Sequence, residues 1–97
     1  MGERVYPQFK YSAQIANTVD STTVDTGPII LRGVWVNEAF SAHSAIIKDG
    51  TTSVFTLPAA LAAGWYDLGD VIIEGSLVYD PDNAASAGNV TFVYKQS

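Results

Sequence analysis

The sequence predicts an all-β protein: a small antiparallel β-sandwich or jelly-roll-like domain of about seven short strands, with an N-terminal arm. Three observations carry this. Apolar and polar residues alternate in short runs, most clearly at Asn89 to Lys95, where Val90, Phe92 and Tyr94 point one way and Thr91 and Lys95 the other. Turn chemistry separates the runs at close intervals: Gly27-Pro28, Asp49-Gly50, Gly69-Asp70 and Asp80-Pro81-Asp82-Asn83. No helical pattern is long enough for a βαβ crossover, which argues against a parallel sheet.

At 97 residues the chain holds one domain. Within it, residues 1–26 differ from the body at 27–97. Tyr6, Pro7, Phe9 and Tyr11 make an aromatic start, read as an arm that packs on a neighbour. A first strand is expected over residues 9–16, followed by a polar loop or irregular edge strand up to Thr26. Ile29 to Asn37 is the second strand. Its two faces, Ile29/Leu31/Gly33/Trp35 and Ile30/Arg32/Val34/Val36, are both largely apolar, which implies burial on both sides. Val34, Trp35 and Val36 are therefore candidates for an intersubunit face. His43 to Asp49 and Ser53 to Leu57 form a hairpin around Asp49-Gly50, and Pro58 ends it. The alanine-rich residues 58–64 could make one or two helical turns between Pro58 and Gly64. Trp65 to Leu68 is a short strand stopped by Gly69-Asp70. Val71 to Tyr79 follows, with Gly75 suggesting a bulge or a close backbone approach.

Charged residues are 15% of the chain, against about 25% in ordinary soluble domains, while hydrophobic residues are 47%. Low charge on so small a chain suggests surface covered in an assembly. The net charge of −5, without a basic cluster, disfavours nucleic acid and anionic membranes as partners. With no cysteine and one histidine, neither a disulfide staple nor a structural zinc site can form. The first twelve residues contain no apolar signal core. The longest apolar stretch, Leu57 to Tyr66, is too short to span a bilayer. Asn89-Val90-Thr91 fits a glycosylation sequon and is read as chance within a strand.

Candidates for chemistry are sparse. His43 would have to be the base of any Ser-His-Asp arrangement, with Ser41, Ser44, Asp49 or Asp67 as partners, yet no nucleophile-elbow motif is present. Asp67, Asp70 and Glu74 could supply an acid and a base for glycoside hydrolysis, but solvated turn carboxylates are the preferred reading. Asp80-Pro81-Asp82-Asn83 looks like half of a calcium loop and lacks the later ligands. Trp35 and Trp65 could form a sugar-stacking platform, although core packing and subunit contacts are preferred for both. No catalytic residue, cofactor or metal site is expected.

Five segments carry a resemblance. They are Leu31-Arg32-Gly33-Val34-Trp35-Val36-Asn37, Asp49-Gly50-Thr51-Thr52, Phe55-Thr56-Leu57-Pro58-Ala59, the Gly75-x-Leu77-x-Tyr79 strand and the closing Val90-Thr91-Phe92-Val93-Tyr94-Lys95. In this order and spacing, over residues 27–95, the chain resembles the small β-sandwich virion proteins of tailed bacteriophages, of the capsid cement, decoration or head-fibre-base type. The resemblance implies a non-enzymatic homotrimer, made in the host cytoplasm, that binds the major capsid protein on the capsid exterior and stabilises capsomer junctions. Tyr6, Phe9 and Tyr11 would be arm contacts. The alternative is a receptor- or glycan-binding domain of a phage tail or fibre. An exposed Trp35 or Trp65 beside Asp or Asn would favour that alternative.

Overall fold

A computed structural model describes residues 8–82 and 87–97. Among these the chain is all β, with two antiparallel sheets packed face to face. The strands are β1 (Lys10–Tyr11), β2 (Ile15–Ala16), β3 (Thr22–Thr26), β4 (Ile29–Glu38), β5 (Ala45–Asp49), β6 (Thr52–Leu57), β7 (Gly64–Ile73), β8 (Ser76–Pro81) and β9 (Asn89–Gln96). One sheet has the order β1-β9-β4-β7, with β2 also on β9. The other has the order β3-β8-β5-β6. The pairs β2/β9, β3/β8, β4/β7 and β5/β6 are nested. One long hairpin has thus been wound up until its halves lie in two sheets, which is the jelly-roll topology.

The core lies between the sheets. Ile29, Leu31, Val34, Val36, Ile73, Val90, Phe92 and Tyr94 enter it from one side, and Ala45, Ile47, Leu57, Leu77 and Tyr79 from the other. Tyr79 meets Phe92 edge to face at 5.5 Å across the sandwich. The Tyr79 hydroxyl donates to Oδ1 of buried Asn17, so the one polar tip in the centre is satisfied.

The two apolar faces expected for Ile29 to Asn37 have a different cause from double burial. The register of β4 against both neighbours shifts between Leu31 and Gly33. Against β9, Arg32 is the extra residue; against β7 the excess is on β7, where Leu68, Gly69 and Asp70 face Arg32 alone. The bulge at Arg32 inverts the alternation of β4. Odd positions Ile29 and Leu31 point inward before it; even positions Val34 and Val36 point inward after it. Val34 and Val36, at 0% and 2% exposure, are therefore core residues and not intersubunit contacts. Trp35, between them, is 48% exposed.

The boundary at residue 26 is also revised. From Lys10 onward the N-terminal segment belongs to the sandwich: β1 and β2 pair with β9, and β3 pairs with β8. The expected continuous first strand is broken at residues 12–14, where the Ser12 hydroxyl accepts a hydrogen bond from the Phe92 N–H. Tyr6, expected as an arm contact, lies outside the described residues.

Three further expectations change. Gly69-Asp70 does not end a strand; β7 runs through it, with both residues at positive φ. The chain instead turns at Glu74-Gly75, where it crosses from one sheet to the other, so Gly75 is a turn residue and not a strand bulge. Residues 58–63 form turns and coil, not helix. Ala60 there adopts φ 60°, held by hydrogen bonds from Ala60 N–H to Ser41 and from Phe40 N–H to Leu61. The β5–β6 hairpin forms as expected, with Gly50 at φ 64° in its turn.

Candidate functional site

Tyr11, Trp35, Trp65 and Ile72 are exposed large hydrophobic residues that share the outer face of the β1-β9-β4-β7 sheet. Register explains why. Tyr11 lies opposite Val93, Val93 opposite Gly33, Trp35 opposite Trp65, and Ile30 opposite Ile72. The inverted alternation after Arg32 is what turns Trp35 outward.

Gly33 sets the geometry of this face. A side chain there would begin 2.5 Å from Cη2 and Cζ2 of Trp65, so the Trp65 ring lies directly on the Gly33 backbone. Trp35 stands beside it, with ring centroids 5.2 Å apart and planes tilted by 51°. Polar groups flank the pair. Asp67 lies opposite Gly33, two residues from Trp65 on the same face. Asn37 donates from Nδ2 to the Thr91 hydroxyl at 2.9 Å, and Thr91 lies opposite Trp35. Of the core packing and subunit contacts preferred for the tryptophans, core packing gives way: at 48% and 37% exposure they form a surface pair beside Asn and Asp.

The other end of the face is basic and aromatic. The Arg32 guanidinium grips Asp70 through two hydrogen bonds, of 3.1 and 3.2 Å. The pairing holds the Asp70 carboxyl below its usual pKa, with that hydrogen bond as the largest cause. The Phe9 ring sits 3.6 Å from the Arg32 guanidinium carbon and 4.7 Å from Lys95 Nζ. Phe9 and Tyr11 thus reach the same face as Trp35, while Val34 and Val36 point away from it.

The residues considered for catalysis do not converge. His43 Nδ1 is 3.2 Å from Asp82 Oδ2, a partner the sequence did not suggest because the two are 39 positions apart. Of the proposed partners, the Ser41 hydroxyl accepts from the Ala87 N–H, and Asp49 accepts from the N–H groups of Glu74, Gly75 and Ser76. Those bonds, with Gly75 the strongest, lower the Asp49 pKa and clamp the crossing between sheets. Asp67 and Asp70 lie on β7, and Glu74 is in the turn beyond it. Asp80 pairs with Lys48 at 2.7 Å instead of presenting a cation site. Among the described residues, no group of three His, Cys, Asp or Glu could hold a metal ion, and no helix is long and apolar enough to cross a membrane. A shallow hollow of about 200 Å³ opens between β2 and β3, lined by Ser12, Ala13, Ile15 and residues 22–24, with no titratable side chain in it.

Every strand at a sheet edge carries an irregularity. β1 and β2 are a broken strand; β3 shifts register at Val24; β6 shifts at Val54; β7 carries the Gly69-Asp70 kink. Such breaks oppose strand-to-strand association. Compared with known proteins, the chain matches no family model, no curated protein and no solved structure.

Proposed function

We propose that the chain is a non-enzymatic virion protein of a tailed bacteriophage, a trimeric cement or decoration protein on the capsid exterior that acts by surface binding. One observation supports this most. The exposed large hydrophobic residues of a small jelly roll are concentrated on one sheet face, while the sheet edges are all interrupted. A protein of this kind works by mass action. It binds the assembled shell and not the separated subunits, so each bound trimer stabilises the assembly. Phe9, Tyr11 and Ile72 are the contact residues in this reading, at the ends of the face away from the tryptophan pair. The low charge of the chain then reflects surface that is covered in the particle.

The test is sedimentation of the purified protein at micromolar concentration, alone and with expanded phage capsids. A trimer that co-sediments with capsids is expected, and Tyr11→Asp should weaken either association. A monomer that leaves capsids unbound defeats the proposal. The second reading, a receptor- or glycan-binding domain of a tail or fibre, is favoured by one specific observation: the exposed Trp35–Trp65 pair beside Asn37 and Asp67.

A further inference from the structure

We infer that Trp35 and Trp65, flanked by Asp67 and Asn37, form a binding site for a neutral saccharide, with a pyranose ring stacked on Trp65. The inference deepens the glycan-binding reading above and does not require the capsid one.

The geometry begins at Gly33. The Cη2–Cζ2 end of the Trp65 ring packs where a Gly33 Cβ would stand, 2.5 Å away, so the absence of a side chain there is what lets the ring settle against the sheet. The residue still keeps 37% exposure. A ring held in this way loses little freedom on stacking against a ligand. Trp35, at 5.2 Å and 51°, stands at an angle beside it, so the pair is not a flat patch.

The polar rim selects the ligand. Asp67 makes no hydrogen bond or ion pair among the described residues, although Arg32 is near enough to feel its charge. A carboxylate is an acceptor only, and its two oxygens can take two neighbouring hydroxyls. Asn37 spends its amide N–H on Thr91, which leaves its carbonyl oxygen as a second acceptor on the far side of Trp35. An apolar stacking surface with acceptors at both sides matches a pyranose, which has C–H groups on a face and O–H donors on its rim. A protein partner would instead need a broader apolar centre with the polar groups at its margin. The charge argues in the same direction. Asp67 on a chain of net charge −5 disfavours uronic and sialic acids and admits neutral or amino sugars.

The experiment uses the two indole N–H resonances, since the chain has two tryptophans. The ¹⁵N-labelled full-length protein is titrated with cellohexaose, mannohexaose, chitohexaose and oligogalacturonate, and screened on a printed glycan array. At least one neutral or amino-sugar probe should shift both indole signals saturably, whereas oligogalacturonate should not. Trp65→Ala and Asp67→Ala should each weaken that binding about tenfold or more. Asp67 is exposed, so its variant keeps the fold, and the amide spectrum verifies this directly. The inference fails if no probe or array glycan moves the indoles, or if both variants bind as the parent does. It also fails if the indoles respond to protein concentration and not to sugar. That result would make the tryptophan pair a contact between copies and leave the capsid reading standing.

Discussion

The outer surfaces of the two sheets are built from the same kinds of strand and end up with different chemistry. On the β3-β8-β5-β6 sheet, the outward rows are Thr23–Val78–Lys48–Ser53 and Asp80–Ile46–Thr56. Val78, the apolar residue in the middle, is 7% exposed, and the Lys48–Asp80 ion pair spans the rows. Lys48 and Asp80 are paired on that face, and its central valine is covered, although Val54 on β6 stays 36% exposed. On the β1-β9-β4-β7 sheet, the outward rows are Tyr11–Val93–Gly33–Asp67 and Thr91–Trp35–Trp65, with Ile30–Ile72 beyond. Here the aromatic groups are open, and Asp67 is unpaired. The comparison teaches that exposed aromatic surface is not spread evenly over the two sheets. The bulge at Arg32 is the local device that creates the aromatic face, by inverting β4 so that tryptophan looks outward while valine looks inward.

The difference can be tested by substitutions of decreasing effect. The largest concerns what both faces share, the core between them. Phe92→Ala removes a fully buried ring that touches Tyr79 and should cost about 3–5 kcal/mol, read from urea unfolding midpoints at constant slope. Trp35→Ala, one register step away but outward, should cost far less. Equal losses would mean that Trp35 is a core residue.

Gly33→Ala comes next. The new methyl group meets the Trp65 ring and the Tyr66 carbonyl at about the same 2.5–2.6 Å. It should cost about 1–3 kcal/mol as overpacking and should change tryptophan fluorescence, because the Trp65 ring is lifted from the sheet. Unchanged fluorescence would show that the ring does not rest there.

Acidification follows. The carboxyls of Asp25, Asp49 and Asp70 are all held below their usual pKa in the folded chain. For Asp25 the largest cause is the hydrogen bond from Tyr94, whose own pKa is pushed up to about 12, first by burial and then by that bond. The folded chain thus binds fewer protons than the unfolded one. The stabilisation is complete above the unfolded carboxylate value and is lost as pH falls through the lowered ones. The urea midpoint should be flat from pH 7 to about 5 and fall below about 4. Asp49→Asn should lower the midpoint at pH 7 and flatten that fall, since three N–H groups at the sheet crossing lose their charged acceptor. A midpoint that rises on acidification would contradict this.

The smallest effect belongs to the face of the β3-β8-β5-β6 sheet. Lys48→Ala breaks a partly exposed ion pair and should cost about 1 kcal/mol or less, diminishing in high salt. A larger loss would mean that Val78 depends on the lysine stem for its cover.

Legibility followed how local each signal is. β9 was readable because its seven-residue alternation needs no partner to define it, and the β5–β6 hairpin because Asp49-Gly50 specifies its own turn. The alternation of β4 misled because its extra residue is an arrangement between strands. Arg32 is left over only when Leu31 and Gly33 are matched against Tyr94 and Val93 of β9. Gly69-Asp70 misled in the same way: a turn-like pair was absorbed as a kink in a strand paired to β4. Of the candidate site, Phe9, Tyr11 and Trp35 were singled out as surface residues and share one face, whereas Val34 and Val36 fell on the wrong side of the bulge. Asp67 was noticed only as an acid, since its place beside Trp65 depends on register.

The amino-acid sequence by itself determined the fold class of the protein: β-strands from alternation and antiparallel pairing from short turns. Only the tertiary structure decided which residues are surface. Side-chain direction in a strand has a period of two, so a single bulge reassigns every residue beyond it, and bulges form between strands, not within one. In this chain one extra residue, Arg32, separates two core valines from an exposed tryptophan pair.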